Sequence, residues 1–285
     1  MVIQQLVVLG QCPVVGIGII AASDVGQRCF SVCNRSLNVW LGGVLIDAVT
    51  KYLQCLCQRS SAGLIKSELE NVITHTVDMS MSIAIIVPSY NQFHYVTRLL
   101  KSLEKHTNDY VVYFIDDASP DWSEQVRQDV ERLLPQGSVV YRYDENDGCT
   151  RSWNYGLQLA KQDGHEYAVI ANSDTIVGKG WWDGFEKALQ RFSLVGPVSN
   201  APGGPHYSHQ QVKTYLPDYE VRDSTVDATA ARLVGNDPVQ GRINGFFMAA
   251  KTADWWRNKF DDSHVFNPAK KLLGNEDGLQ DRWRG

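Results

Sequence analysis

Beyond residue 57 the chain has a single cysteine, Cys149; the other five (Cys12, Cys29, Cys33, Cys55, Cys57) crowd the start. That shortage argues against a disulfide framework for most of the molecule. The early cysteines do not read as a zinc site either. No histidine precedes His75, and neither the Cys29/Cys33 nor the Cys55/Cys57 spacing is that of a paired ligand. Excess positive charge is missing too: 27 Lys and Arg against 32 Asp and Glu give a formal net charge of −5, the wrong sign for a protein whose main partner is nucleic acid. Long apolar runs are scarce. Val2 to Ala22 holds no charged side chain, but Gln4, Gln5, Gly10, Gln11 and Pro13 break it and no basic residue flanks its start; Val39 to Val49 is shorter and contains Asp47. Buried strands and a helix are the preferred reading of these stretches, and membrane association through residues 1–80 is the less favoured one.

What is present divides near residue 80. Residues 1–80 carry five basic and five acidic side chains, so the whole negative excess lies in 81–285. The chain is therefore expected to hold an N-terminal segment, 1–80, of unassigned role and a domain over 81–285. Within the first part, Gly16-Ile-Gly-Ile-Ile-Ala21 imitates a dinucleotide fingerprint without its acidic partner, and Asn34-Arg35-Ser36 fits a glycosylation acceptor. Met79 and Met81 precede the first clear strand. The cysteine-poor second part is of cytosolic type, which predicts a cytoplasmic protein.

From residue 82 apolar runs alternate with helical spacings. Ser82 to Val87 reads as a strand ended by Pro88, and Val96, Leu99, Leu100 and Leu103 mark one helix face. Tyr110 to Ile115 is a second strand; Val126, Val130, Leu133 and Leu134 form the next helical face, stopped by Pro135 and Gly137. Ser138 to Tyr143 is the third strand, with Trp153, Leu157 and Ala160 behind it. Tyr167 to Ala171 is the fourth, followed by Trp182, Phe185, Leu189 and Phe192. Such alternation predicts an α/β fold with a mostly parallel central sheet flanked by helices. After Val195 loop formers dominate to about Asp237; Ile243 to Ala250 then reads as a strand and Asp254 to Phe260 as a short helix.

Three polar clusters follow predicted strands: Ser89-Tyr90-Asn91, Asp116-Asp117-Ala118-Ser119 and Asn172-Ser173-Asp174. Open α/β sheets bind ligands at the carboxyl ends of their strands, so three clusters on one edge make a site. The competing account of the third is that Asn172 and Asp174 cap the helix beginning near Gly180.

These residues, with Ile86-Val87-Pro88, Asn146-Asp147-Gly148, Asn154, Gly156, Gly245-Phe246-Phe247 and Glu276-Asp277 in register, resemble the family-2 glycosyltransferases of the GT-A nucleotide-diphospho-sugar transferase fold. The resemblance covers about 82–285. It implies a nucleoside-diphosphate sugar donor and a glycan or other hydroxyl acceptor. Pro88, Ser89, Tyr90, Asn91 and Asp117 would hold base and ribose, with Tyr90 stacking and Asp117 accepting from base N–H groups. Asn172-Ser173-Asp174 takes the place of the family's Asp-x-Asp, with Asn172 replacing the first acid. Asp174 is then the direct ligand of Mn²⁺ or Mg²⁺, and Asn172 contacts ribose or a metal-bound water. Gly148 opens a helix whose amides would face phosphate, with Arg151 either adding charge there or lying solvated. Asp277 matches the catalytic base of inverting members, Glu276 being the adjacent candidate. Trp181, Trp182 and Arg282 would line the acceptor side, or the tryptophans would divide between core and surface.

The Asn172 to Thr175 run and the Gly196-Pro-Val-Ser-Asn200 loop look most like bacterial polysaccharide or rhamnosyl-type members, giving a hexosyl- or rhamnosyltransferase as the expected activity. One departure stands out. Family members continue beyond the acidic motif, whereas this sequence stops at Gly285, so the expectation is either a C-terminal truncation or an active site left open. The alternative is a catalytically inactive nucleotide-sugar or glycan-binding module. A sugar-phosphate nucleotidyltransferase would need a glycine-rich basic loop where Pro88-Ser-Tyr-Asn91 stands.

Overall fold

The computed structural model describes residues 83–220, 222–233, 237–272 and 274–284, together with the backbone of 5–9 and 16–20. The cysteine, glycosylation and membrane readings made for residues before 83 otherwise lie outside the described residues. The chain divides into two compact units, Met1–Ser80 and Met81–Gly285. In the first, β1 (Gln5–Leu9) pairs antiparallel with β2 (Gly16–Ile20). Among the described residues no helix is long and apolar enough to cross a membrane.

The second unit is built on a five-stranded sheet. In chain order it runs β3 (Ile83–Ser89), α1 (Phe93–His106), β4 (Tyr110–Asp116), α2 (Glu124–Glu131), β5 (Val139–Arg142), α3 (Cys149–Gln162), β6 (Tyr167–Ala171) and α4 (Trp181–Leu189). After a long excursion come β7 (Phe247–Lys251), α7 (Thr252–Arg257) and α8 (Asn275–Arg284); the excursion itself holds α5 (Val212–Tyr215) and α6 (Val226–Leu233). Spatial order is β5-β4-β3-β6-β7, all parallel except β7, which runs antiparallel to β6. The α/β architecture expected from sequence is therefore the one observed.

The two-residue period of a strand explains the layering. Ile83, Ile85 and Val87 of β3 face one cluster with Val96, Leu99, Leu100 and Leu103 of α1 and Phe185 and Leu189 of α4. Ala84 and Ile86 face the other, with Trp153, Leu157 and Ala160 of α3 and Trp255 of α7. Every residue of β3 is buried, as a central parallel strand covered on both faces requires. Each large aliphatic side chain so buried stabilises the fold by about 1.5–3 kcal/mol.

Helix α3 approaches β3 closely because residue 156 is glycine. A Cβ there would lie 2.4 Å from Ile86 Cγ2 and 2.6 Å from its Cγ1. Gly156→Ala gains about 1 kcal/mol of helix propensity, but pushing apart helix and fully buried strand costs about 1–3 kcal/mol. A net loss of about 1 kcal/mol is expected, read as a lower urea midpoint at unchanged slope; an unchanged or higher midpoint would refute this packing argument.

Two strand boundaries differ from expectation. β3 does not end at Pro88 but pairs with β4 through Pro88↔Ile115 and Ser89↔Asp116, while its pairing with β6 stops at Ile86↔Ile170. Ser89 O accepts from Asp117 N at 2.8 Å on the β4 side. By alternation the position that lacks an N–H, Pro88, faces the side where the ladder has already ended. At the other boundary, β7 begins at Phe247 rather than Ile243. Three amides of 243–246 donate to side chains instead: Ile243 N to Gln280 Oε1 at 2.7 Å, Asn244 N to Gln210 Oε1 at 2.8 Å and Phe246 N to Asn244 Oδ1 at 3.2 Å.

Just past α4 the chain touches the sheet once more. Val195 and Ala249 exchange both backbone hydrogen bonds at 2.9 Å. The stretch predicted to be structureless then forms short helices. α6 is fastened by Asp227, which pairs with Lys105 at 2.6 Å and His106 at 2.8 Å and accepts from Lys179 N at 3.1 Å.

Candidate active site

The first strand of the domain, β3, has β4 and β5 on one side and β6 on the other, so the strand order reverses between β3 and β6. Ligand crevices of open α/β sheets lie at the carboxyl ends of such a pair. Here the crevice is widened by the early end of the β3–β6 ladder, and the loops after β3, β4 and β6 rim it.

The first two loops are locked together by Asp116, which is wholly buried. Its Oδ2 accepts from Ser119 N at 3.0 Å, and its carboxylate also takes the Ser119 hydroxyl and the Arg142 guanidinium. Ser119 Oγ in turn accepts from Asn91 N at 2.7 Å. This network holds Asn91, Gln92 and Ala118 at φ of 59°, 57° and 61°, a left-handed conformation that side chains other than glycine seldom adopt. Tyr90, beside it, is 49% exposed, leaving its ring face open. Among the described residues, Ser89 Oγ and Asn91 Oδ1 are buried without a protein partner, which at a cleft marks groups that await a ligand or water.

Asp117 is almost fully buried too, and protein donors surround it. Its oxygens accept from Gly148 N at 2.7 Å, Asp147 N at 3.2 Å and Arg151 Nη2 at 2.9 Å. Arg151 also lies 3.5 Å over the Tyr143 ring. The arginine, its side chain 32% exposed, is thus directed to Asp117, which it neutralises. The Gly148 amide likewise meets a protein carboxylate, and Lys271 O covers the next turn of α3, accepting from Thr150 N at 3.3 Å and Thr150 Oγ1 at 3.1 Å. A carboxylate has room for about four donors, so Asp117 has little acceptor capacity left for a base. Burial pushes the neighbouring Cys149 thiol up to about 11, so it stays protonated at neutral pH and is no nucleophile.

After β6, Asn172 N donates to Phe246 O at 2.8 Å, and Asn172 O accepts from Thr175 Oγ1 at 2.7 Å. Neither Asn172 nor Asp174 caps α4, whose N-cap is Gly180 with no side-chain cap; the capping account fails. Asp174 is exposed, and among the described residues no hydrogen bond or ion pair engages its carboxylate. No group of three His, Cys, Asp or Glu suited to a metal occurs among the described residues. Asp174 thus offers a single free carboxylate, the kind of oxygen donor a hard divalent ion takes.

Across the edge stands α8, with Glu276 and Asp277 in its first turn. A Cβ on Gly245 would lie 3.3 Å from Glu276 Cβ and 3.5 Å from its Oε2. Glu276 thus packs beside the residue preceding Phe246, whose carbonyl holds Asn172. Asp277 Oδ1 pairs with Arg242 Nη1 at 2.7 Å, and Asp281 Oδ1 with Arg242 Nη2 at 2.6 Å. These three residues, with His206, Tyr207, His209 and Gly241, line a cavity of about 650 Å³, within the usual size of a small-molecule site. Burial, then Asp277 and Glu276, hold the Tyr207 phenol above its ordinary range.

The family model for glycosyl transferase family 2 matches residues 84–255. The chain belongs to that family. Two solved structures resemble it in fold: S. aureus TarS 1-349 (18% identity, TM-score 0.48) and the same protein in complex with UDP (18% identity, TM-score 0.47). Each match covers 71% of this chain and 55% of the other, so the chain spans about half the length of the proteins it resembles. No curated protein matches.

Two residues of this family-2 domain were not singled out by its sequence: Arg142, which joins Asp116 and Ser119 of the predicted cluster in one network, and Arg242, which reaches both acids of α8. Three others, expected on the acceptor side, engage protein groups. Trp181 donates to Thr107 Oγ1 at 3.0 Å and packs on Phe185 and Phe247; Trp182 packs on Tyr167. Arg282 donates to Val265 O at 2.7 Å and Asn258 O at 3.0 Å.

Proposed function

We propose that residues 83–285 transfer a sugar from a nucleoside-diphosphate sugar to a hydroxyl of a glycan or other acceptor, with inversion at the anomeric carbon. The supporting observation is the convergence on one sheet edge of the 88–91 and 116–119 loops, the unpaired Asp174 and the acids of α8. In this reading Tyr90 stacks on the base, and Pro88, Ser89 and Asn91 shape its pocket. Asp117 acts by holding Gly148 and Arg151 in place. Asn172 faces ribose or a metal-bound water, and Asp174 anchors Mn²⁺ or Mg²⁺ beside the diphosphate. The ion supplies Lewis-acid neutralisation of the leaving group when bound.

Asp277 takes the proton of the attacking hydroxyl. That oxygen forms its bond to the anomeric carbon as the bond to the diphosphate oxygen breaks, and the nucleoside diphosphate leaves with the electron pair. Base assistance of this kind is worth about 10²–10⁴-fold. Inverting stereochemistry, hexosyl or rhamnosyl specificity and a cytoplasmic location belong to the same proposal. The rival, a nucleotide-sugar-binding module without turnover, draws support from the pairing of Asp277 with Arg242.

Thermal unfolding against a panel of nucleotides and nucleotide sugars, with and without Mn²⁺, tests the reading; UDP and UDP-GlcNAc come first. A true donor at a hundred times its Kd stabilises by about 2.7 kcal/mol, and Mn²⁺ is expected to increase the shift. No shift with any nucleotide would sink the proposal, and binding without turnover would favour the rival.

A further inference from the structure

Arg242 is the one basic residue other than histidine in the cavity lining, and its guanidinium is divided between two carboxylates one helical turn apart, Asp277 at 2.7 Å and Asp281 at 2.6 Å. The segment that carries it is held residue by residue. His209 Nε2 lies 2.6 Å from Arg242 O, and a Cβ on Gly241 would meet that imidazole at 2.5 Å. Gln280, itself buried, grips Ile243 from both sides, accepting from its N–H and donating to its carbonyl, each at 2.7 Å. Asp277, Gln280 and Asp281 share one face of α8 by their spacing. The Arg242, Asp277 and Asp281 side chains are 35%, 49% and 61% exposed, so it is this mounting, and not burial, that fixes the guanidinium.

Resting on the reading of Asp277 as base, we propose that Arg242 is a positioning residue that keeps Asp277 aimed into the cavity, and that Asp281 is its second anchor. When Asp277 takes the acceptor's proton, its attraction to the guanidinium falls. Asp281 keeps Arg242 in place through that moment, so that Asp277 regains its charged partner once the proton passes to solvent. The other groups facing Asp277 are Glu276 on its own helix and Tyr207 from the 205–210 turn; His206 and His209 line the same cavity.

The test uses the full chain and the nucleotide sugar that stabilises it most, with water as acceptor, and follows donor hydrolysis against pH in wild type, Arg242→Gln, Arg242→Lys, Asp281→Asn and Asp277→Asn. Arg242→Gln should lower kcat about tenfold or more, within the range of base assistance, while KM for the donor stays within about twofold. Asp281→Asn, which frees one arm of the guanidinium, should lower kcat by a smaller factor at unchanged KM, and Arg242→Lys should restore part of the rate. If Asp277→Asn abolishes turnover but neither neighbouring variant lowers kcat, Arg242 is only structural and the proposal is overturned. If Asp277→Asn turns over like wild type, the base assignment itself fails and takes the proposal with it. A wild-type chain that hydrolyses no stabilising donor sinks both.

Discussion

Asp117→Ala is expected to lower the unfolding free energy by about 3 kcal/mol, the low end for breaking a buried ion pair by removing one partner. The side chain is 4% exposed and its partner Arg151 is 32% exposed. Removing the carboxylate leaves the Gly148 amide without an acceptor and the guanidinium with the Glu145 carbonyl alone, in a place that water reaches poorly. The loss should spread to nucleotide binding, because Asp117 connects the turn after β4 to the start of α3. Urea unfolding with and without the stabilising nucleotide measures both effects. A stability loss below about 1 kcal/mol would show that Arg151 finds another partner, and Asp117 would then lose its role as organiser.

Asp174→Ala should behave in the opposite way. Its carboxylate is exposed and tied to nothing among the described residues, so unfolding without ligand should hardly change. Turnover should fall about 10³-fold, the size expected when several kcal/mol of charge neutralisation is removed from the transition state. The added thermal shift caused by Mn²⁺ in the presence of nucleotide should vanish. Persistence of that shift in the variant would place the metal elsewhere.

The order of strands and helices from 83 to 189 is legible in the sequence because Leu99, Leu100, Leu157 and their neighbours keep helical spacing against unbroken apolar strands. The motif positions Ser89 to Asn91, Asp117 and Asn172 to Asp174 were equally visible, since each follows a strand that ends in turn formers. What could not be read is which polar group satisfies which. Asp117 looks like a free acceptor until Gly148, some 30 residues on, is seen donating to it. Ile243 to Phe246 reads as strand because it runs straight into the apolar stretch 247–250, but its amides bond with Gln210 and Gln280 from distant segments. Arg242 carries no local signal at all; its meaning comes from two acids a further 35 and 39 residues along.

The Val195–Ala249 pairing has a consequence for how the domain can change. Residues 196–246 leave the sheet beside Ala249 and re-enter it at Phe247, so both ends of this excursion are fixed within about one interstrand spacing of each other. Closing a longer or shorter loop between two fixed posts alters its entropy only slowly with length. The closure of the excursion therefore tolerates changes of length between its two posts, while its contents stay tied to the rest of the domain, Asp227 to Lys105 and His106 and His209 to the Arg242 carbonyl.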